Sequence, residues 1–211
     1  MTEENNTAIL TDLEARIVAS LMEKQLTTPN NYPLSMNSLL LACNQKTNRV
    51  PVMSLTEGQL GHAVSQLEDR KLLGVDYGGR ANHVTHRVMT EFSINRKQQA
   101  ILAVLMVREP LTLNDIKTKT GRMESFADVD EVLQVIQSLI EREEPMVVCF
   151  PKGPGRREDR YTHLLCGAVD VDAVQSQIKE VVSSKQARID ELEQRIVQLE
   201  NKVSELMTLL D

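Results

Sequence analysis

Apolar positions near the start of the chain recur at helical spacing. Leu10, Leu13, Ile17 and Leu21 share one face of a helix expected over residues 10–26, with Thr11 as N-cap and Glu14 at the capping-box position. The next seven residues, Thr27, Thr28, Pro29, Asn30, Asn31, Tyr32 and Pro33, are kept from helix by their prolines. A short helix follows Ser35, an N-cap candidate, with Met36, Leu39 and Leu40 inward, and it gives out near Cys43. Then come a polar run from Asn44 to Arg49 and an apolar clip, Val50, Pro51, Val52 and Met53. A third helix starts at Thr56 and carries Leu60, Val64, Leu67 and Leu72 on one face to about residue 73. There the period drops to two: residues 74–77 and 84–88 alternate as strands around a glycine tip at 78–82.

The same order returns at an offset of roughly eighty residues. Ile94, Ile101, Leu102, Leu105 and Met106 mark a helix over 95–107, which Pro110 blocks. Residues 113–120 form a short helix ended by Gly121, and 128–143 a long one with Val129, Val132, Leu133, Ile136, Leu139 and Ile140 inward. Strands at 146–150 and 160–165 flank the loop 151–157. Three helices followed by a hairpin, twice over, predict two tandem winged helix-turn-helix domains, at 10–92 and 93–167. Residues 1–9 read as a disordered N-terminus.

Residues 168–211 read differently. Val182, Ile189, Ile196, Val203 and Leu210 take position a of a heptad, and Leu192, Leu199 and Leu206 take d, a combination that favours parallel dimers. Arg188, Arg195 and Lys202 at g face Glu193 and Glu200 at e in a parallel pair. The expected fold is therefore mainly α with small β-hairpins: two winged-helix domains and a coiled-coil helix that makes a parallel homodimer. A single amphipathic helix folded back on the domains is the competing reading of the tail.

Composition narrows the chemistry. The chain has 211 residues, 41% hydrophobic and 26% charged, with a net charge of −6. By segment that charge is −2 over 1–92, zero over 93–167 and −4 over 168–211, so the acidity collects in the tail. An aromatic content of 3% with no Trp removes the stacking platforms of single-strand nucleic-acid binders. No signal peptide or membrane-spanning run is apparent, and a cytoplasmic protein is expected. Cys43, Cys149 and Cys166 have no disulfide or zinc spacing and read as buried thiols.

Several segments resemble the YceH-type family of uncharacterised bacterial proteins. They include Leu13-Glu14-Ala15-Arg16, Thr27-Thr28-Pro29, Tyr32-Pro33-Leu34-Ser35, Ala42-Cys43-Asn44-Gln45-Lys46-Thr47-Asn48-Arg49 and Pro51-Val52-Met53. The later Pro154-Gly155-Arg156-Arg157-Glu158 and Arg160-Tyr161 fit as well. The resemblance implies two successive winged-helix domains and carries no activity with it.

Little in the chain suggests catalysis. His62, His83, His86 and His163 form no metal-ligand spacing, no phosphate loop precedes a helix, and no cofactor is expected. The candidates are residues for binding duplex DNA: Lys46, Thr47, Asn48 and Arg49 ahead of the third helix, Gln59, His62 and Gln66 on its outer side, Arg80 on the first wing, and Lys152, Arg156 and Arg157 on the second. Against them stand Asp128, Asp130 and Glu131, which would meet phosphates at a cost. The alternative is a protein-interaction adaptor that docks other proteins through its winged helices. For the run 44–49, a structural loop whose amides cap neighbouring helices also remains open.

Overall fold

The computed structural model describes residues 9–78, 81–152 and 158–167, with positions 169, 195, 196 and 198 beyond them. The chain divides into two compact units, Met1–Ala168 and Val169–Asp211. The first is mostly helical with small antiparallel sheets.

Helix α1 (Asp12–Thr27) opens with the expected capping box, Thr11 and Glu14 each accepting the other's backbone N–H. Its burial departs from the expected single face. Every residue from Glu14 to Met22 is buried, because α2 (Met36–Cys43) and α3 (Glu57–Asp69) pack on one side and α5 (Arg96–Leu105) on the other. Ala15, Val18, Ala19 and Met22, which lie outside the expected face, are buried as well.

Helix α3 ends sooner than its apolar spacing suggests. Lys71 takes a left-handed conformation at φ 63°, and Leu72 N–H reaches back to Leu67 O at 2.9 Å, the long bond of a Schellman end. Strand β2 (Leu73–Tyr77) follows and pairs antiparallel with β3 (Asn82–His86), placing Val75 opposite Val84. The proline-rich segment is a 3-10 turn at Pro29–Asn31, and a two-residue strand, β1 (Leu34–Ser35), joins the free edge of β3. Where a strand was expected to run on to Val88, a one-turn helix α4 (Val88–Glu91) begins instead.

The second copy is α5, α6 (Leu113–Thr120), α7 (Val129–Ile140) and the antiparallel pair β4 (Val147–Phe150) and β5 (Arg160–His163). Helix α6 has its expected bounds, whereas α7 stops three residues before residue 143. Leu111 bridges Tyr161 of β5 much as Leu34 pairs with Val84 of β3, so the added edge contact recurs too.

One core runs through both copies, from Ile17, Leu21 and Leu67 to Ile101, Leu102 and Ile136. Polar contacts cross the same junction. Gln99 Nε2 of α5 donates to Met22 O at 3.2 Å and to Gln25 Oε1 at 2.8 Å, and Gln25 Oε1 also lies 2.8 Å from His86 Nε2. No helix among the described residues is long and apolar enough to cross a membrane.

Candidate functional site

The segment between α2 and α3, residues 44–56, is built as a clamped loop. Asn44 closes its base: its Nδ2 donates to Leu55 O at 2.9 Å and its Oδ1 accepts from Leu55 N at 2.8 Å. Val50 N–H donates to Val107 O at 2.8 Å, so the loop of the first copy is tied to the end of α5 in the second. From α1, the Arg16 guanidinium reaches two points at once, Cys43 O at 3.3 Å and Pro51 O at 2.7 Å.

This arrangement corrects the reading of Arg49 as a groove-facing residue. Arg49 is 2% exposed, and its Nη2 lies 2.8 Å from Glu23 Oε2 in an ion pair whose N–H is not aligned on the oxygen. Its Nη1 donates to Asn48 O at 3.1 Å. Arg16, 1% exposed, faces it, and Arg108 is close enough to feel both Arg49 and Glu23. Burial and then the Arg49 charge push the Arg16 pKa down; burial also lowers Arg108, with Glu23 opposing. One carboxylate thus serves a group of cations, a costly arrangement that holds only while the geometry is fixed.

What stays outside is narrower. Lys46, Thr47 and Asn48 are exposed, with Asn48 at φ 59° turning the chain so that Arg49 points in. On α3, Gln59, His62, Ser65 and Gln66 form an exposed polar side. Gln59 also has a local task, because its Oε1 accepts from Thr56 N at 3.0 Å in a capping box. Gly58 and Gly61 lie on the same helix with open space where a Cβ would stand.

In the second copy the acids at the start of α7 are engaged locally. Asp128 is the N-cap, accepting from Glu131 N at 2.8 Å, and Glu131 binds Lys97 and accepts from Ala127 N. Lys152 is exposed, and its backbone N–H donates to Asp159 Oδ1 at 2.7 Å. Arg80, Arg156 and Arg157 lie outside the described residues, as do Val182, Ile189, Leu192, Leu199, Val203, Leu206 and Leu210 of the expected dimer seam. Ile196 is helical and 54% exposed.

Burial pushes His86 and His163 down to about 4, and burial pushes Cys43 up to about 11. Among the described residues no group of His, Cys, Asp and Glu could hold a metal ion.

Residues 10–156 match the family described as "Protein of unknown function, DUF480". The chain belongs to this DUF480 family. It is 42% identical over 198 residues to a UPF0502 protein of Cellvibrio japonicus, covering 94% of this chain and 91% of that one. A UPF0502 protein of Vibrio atlanticus is 39% identical, with 96% and 97% covered, and one of Xanthomonas campestris is 38% identical, with 100% and 95% covered. These relatives extend across the tail as well as the DUF480 region, and this is the uncharacterised bacterial family to which the segments around Cys43 point.

The cluster of Arg16, Glu23 and Arg49 was not legible in the sequence. Arg16 is the one charged residue in the stretch Ala15 to Met22 of α1, whose only other polar side chain is Ser20, and that was the available signal.

Proposed function

We propose that this DUF480 protein is a non-enzymatic binder of duplex DNA, built from two tandem winged helix-turn-helix domains and joined as a parallel homodimer by a coiled coil in its tail. The observation that carries the reading is the outer side of α3. Gln59, His62, Ser65 and Gln66 are exposed there, and amides and imidazole are suited to hydrogen-bonding base edges. Gly58 and Gly61 cost the helix on the order of 1 kcal/mol each relative to alanine and have open space where a Cβ would stand, which suits a helix that another surface approaches closely. Lys46 precedes this face, and the edge strand β1 beside the hairpin β2–β3 is the arrangement expected of a winged helix.

The test is binding of a labelled random duplex by the full chain at rising KCl. Affinity should fall with salt, and His62→Ala with Gln66→Ala should weaken it at every salt concentration. Affinity no better than ~1 mM at low salt would end the proposal.

A second reading, the protein adaptor, is favoured by one observation. Leu41, Val50 and Val52 are 65%, 44% and 55% exposed on α2 and its following loop, an apolar surface of the kind that meets other proteins. Leu41→Glu with Val52→Glu separates the two: the added charges would abolish protein capture and leave the salt-dependent affinity for DNA in place.

A further inference from the structure

An open cleft of about 740 Å³ lies beside the sheet of the first copy, within the size range of small-molecule sites. It is lined by Lys24, Asn30, Asn31, Tyr32, Asp76 and His83 among others. The proline-rich segment builds one wall, the last turn of α1 brings Lys24, and β2 and β3 bring Asp76 and His83 as cross-strand neighbours. Lys24 and Asp76 make no ion pair with each other or with any other described residue. A cation and an anion thus line one cleft, neither in an ion pair with any described residue, and two side-chain amides share the lining.

The wall of this cleft is bonded to the junction between the two copies. Tyr32 Oη accepts from His86 N at 2.7 Å, and the two rings meet edge-on with centroids 6.1 Å apart. His86 Nε2 is 2.8 Å from Gln25 Oε1, which also accepts from Gln99 Nε2 of α5 at 2.8 Å. A side chain lining the cleft is therefore three hydrogen bonds from the central helix of the second copy.

We infer that this cleft binds a small zwitterion of the amino-acid or short-peptide class, and that its occupancy is felt at α5 through Tyr32 and His86. Lys24 takes the carboxylate, Asp76 takes the ammonium group, and Asn30 and Asn31 supply neutral hydrogen bonds. Charge-assisted hydrogen bonds of this kind are the stronger ones, and a ligand that carries both charges satisfies both sites together.

Calorimetry on the full chain with L-serine and with glycylglycine tests the site, with sodium acetate and ethylammonium chloride as probes that carry one charge each. At least one zwitterion should bind saturably and neither single-charge probe should. Lys24→Met and Asp76→Asn should each weaken binding about tenfold or more; Asp76 is exposed and Lys24 half-buried, and neither substitution breaks an ion pair, so the fold should be retained. The site is refuted if neither zwitterion saturates by ~10 mM or if both variants bind like the parent chain. For the coupling, the side-chain amide signals of Gln99 should shift when the probe saturates the parent chain and stay still in Tyr32→Phe. Signals that stay still in the parent chain refute the coupling. No readout here uses DNA, so this inference and the DNA proposal stand or fall separately.

Discussion

Arg49 Nη2 stands 2.8 Å from Glu23 Oε2, with the whole Arg49 side chain out of solvent. Glu23 belongs to α1, so this pair fastens the loop after α2 to α1, while Val50 N–H fastens the same loop to Val107, just past the end of α5. The loop that looked most like a recognition element is in large part a strut between the copies.

Removing the carboxylate should be worse than removing the cation. Glu23→Ala leaves Arg49 buried without a counter-charge and should cost about 3–5 kcal/mol, whereas Arg49→Met replaces the cation by an apolar chain of similar reach and should cost far less. Urea midpoints of the two variants make the comparison, and equal losses would mean that the pair is solvated.

Lys46 and Arg49 should behave oppositely toward DNA. If the proposed binding is observed, Lys46→Ala should reduce the salt slope by about one, and Arg49→Met should leave the slope unchanged. A slope that drops for Arg49 alone would show that the loop turns over on binding.

Stability should depend on pH through two buried imidazoles. His86 and His163 are held at about 4 by burial, against an ordinary value near 6.5. Between these values the unfolded chain binds the proton and the folded chain does not, so stability is complete above pH 6.5 and is lost as pH falls toward 4. The loss is on the order of 3 kcal/mol per histidine. Denaturant midpoints across this window, with ring titrations by NMR, check both the sign and the assignment.

Asn44 should matter to the loop out of proportion to its size. Asn44→Ala removes both bonds to Leu55 and should cost about 1–3 kcal/mol. The Leu55 amide should exchange faster in this variant, and an unchanged rate would mean that the loop base is held by other contacts.

Thiol chemistry gives a further check. Burial raises Cys43 to about 11 and Cys166 to about 12, with Asp12 adding to the second, so little thiolate exists at neutral pH. The folded chain should react with a disulfide reagent far more slowly at Cys43 than the chain unfolded in urea. Labelling of Cys43 at the free-cysteine rate in the folded chain contradicts the packing around Arg16.

Much of this structure could be read without coordinates, and the readable parts share a cause. Thr11, Ser35 and Thr56 each start a helix through a bond to a residue three positions on, so their effect is visible in a short stretch of chain. The short helix expected over 113–120 and stopped by Gly121 is α6 with both of its ends, and the recurrence of helices followed by a hairpin was visible in the pattern of the chain. Ends that depend on a single backbone angle, such as the stop at Lys71, were less visible because any residue but proline can adopt that angle at some cost.

What the sequence determined, then, was the order of the main helices and hairpins, the caps at Thr11, Ser35 and Thr56 and the membership of the chain in its family. What only the tertiary structure decided was which way the polar side chains of the loop face. Lys46 and Arg49 are both cations in the same six-residue run, and no local rule separates them. They are separated by Glu23, twenty-six positions before Arg49, whose carboxylate meets the Arg49 guanidinium out of solvent while Lys46 stays exposed. Burial of a charge is settled by contacts that are distant in sequence, whereas a helix cap is settled within one turn.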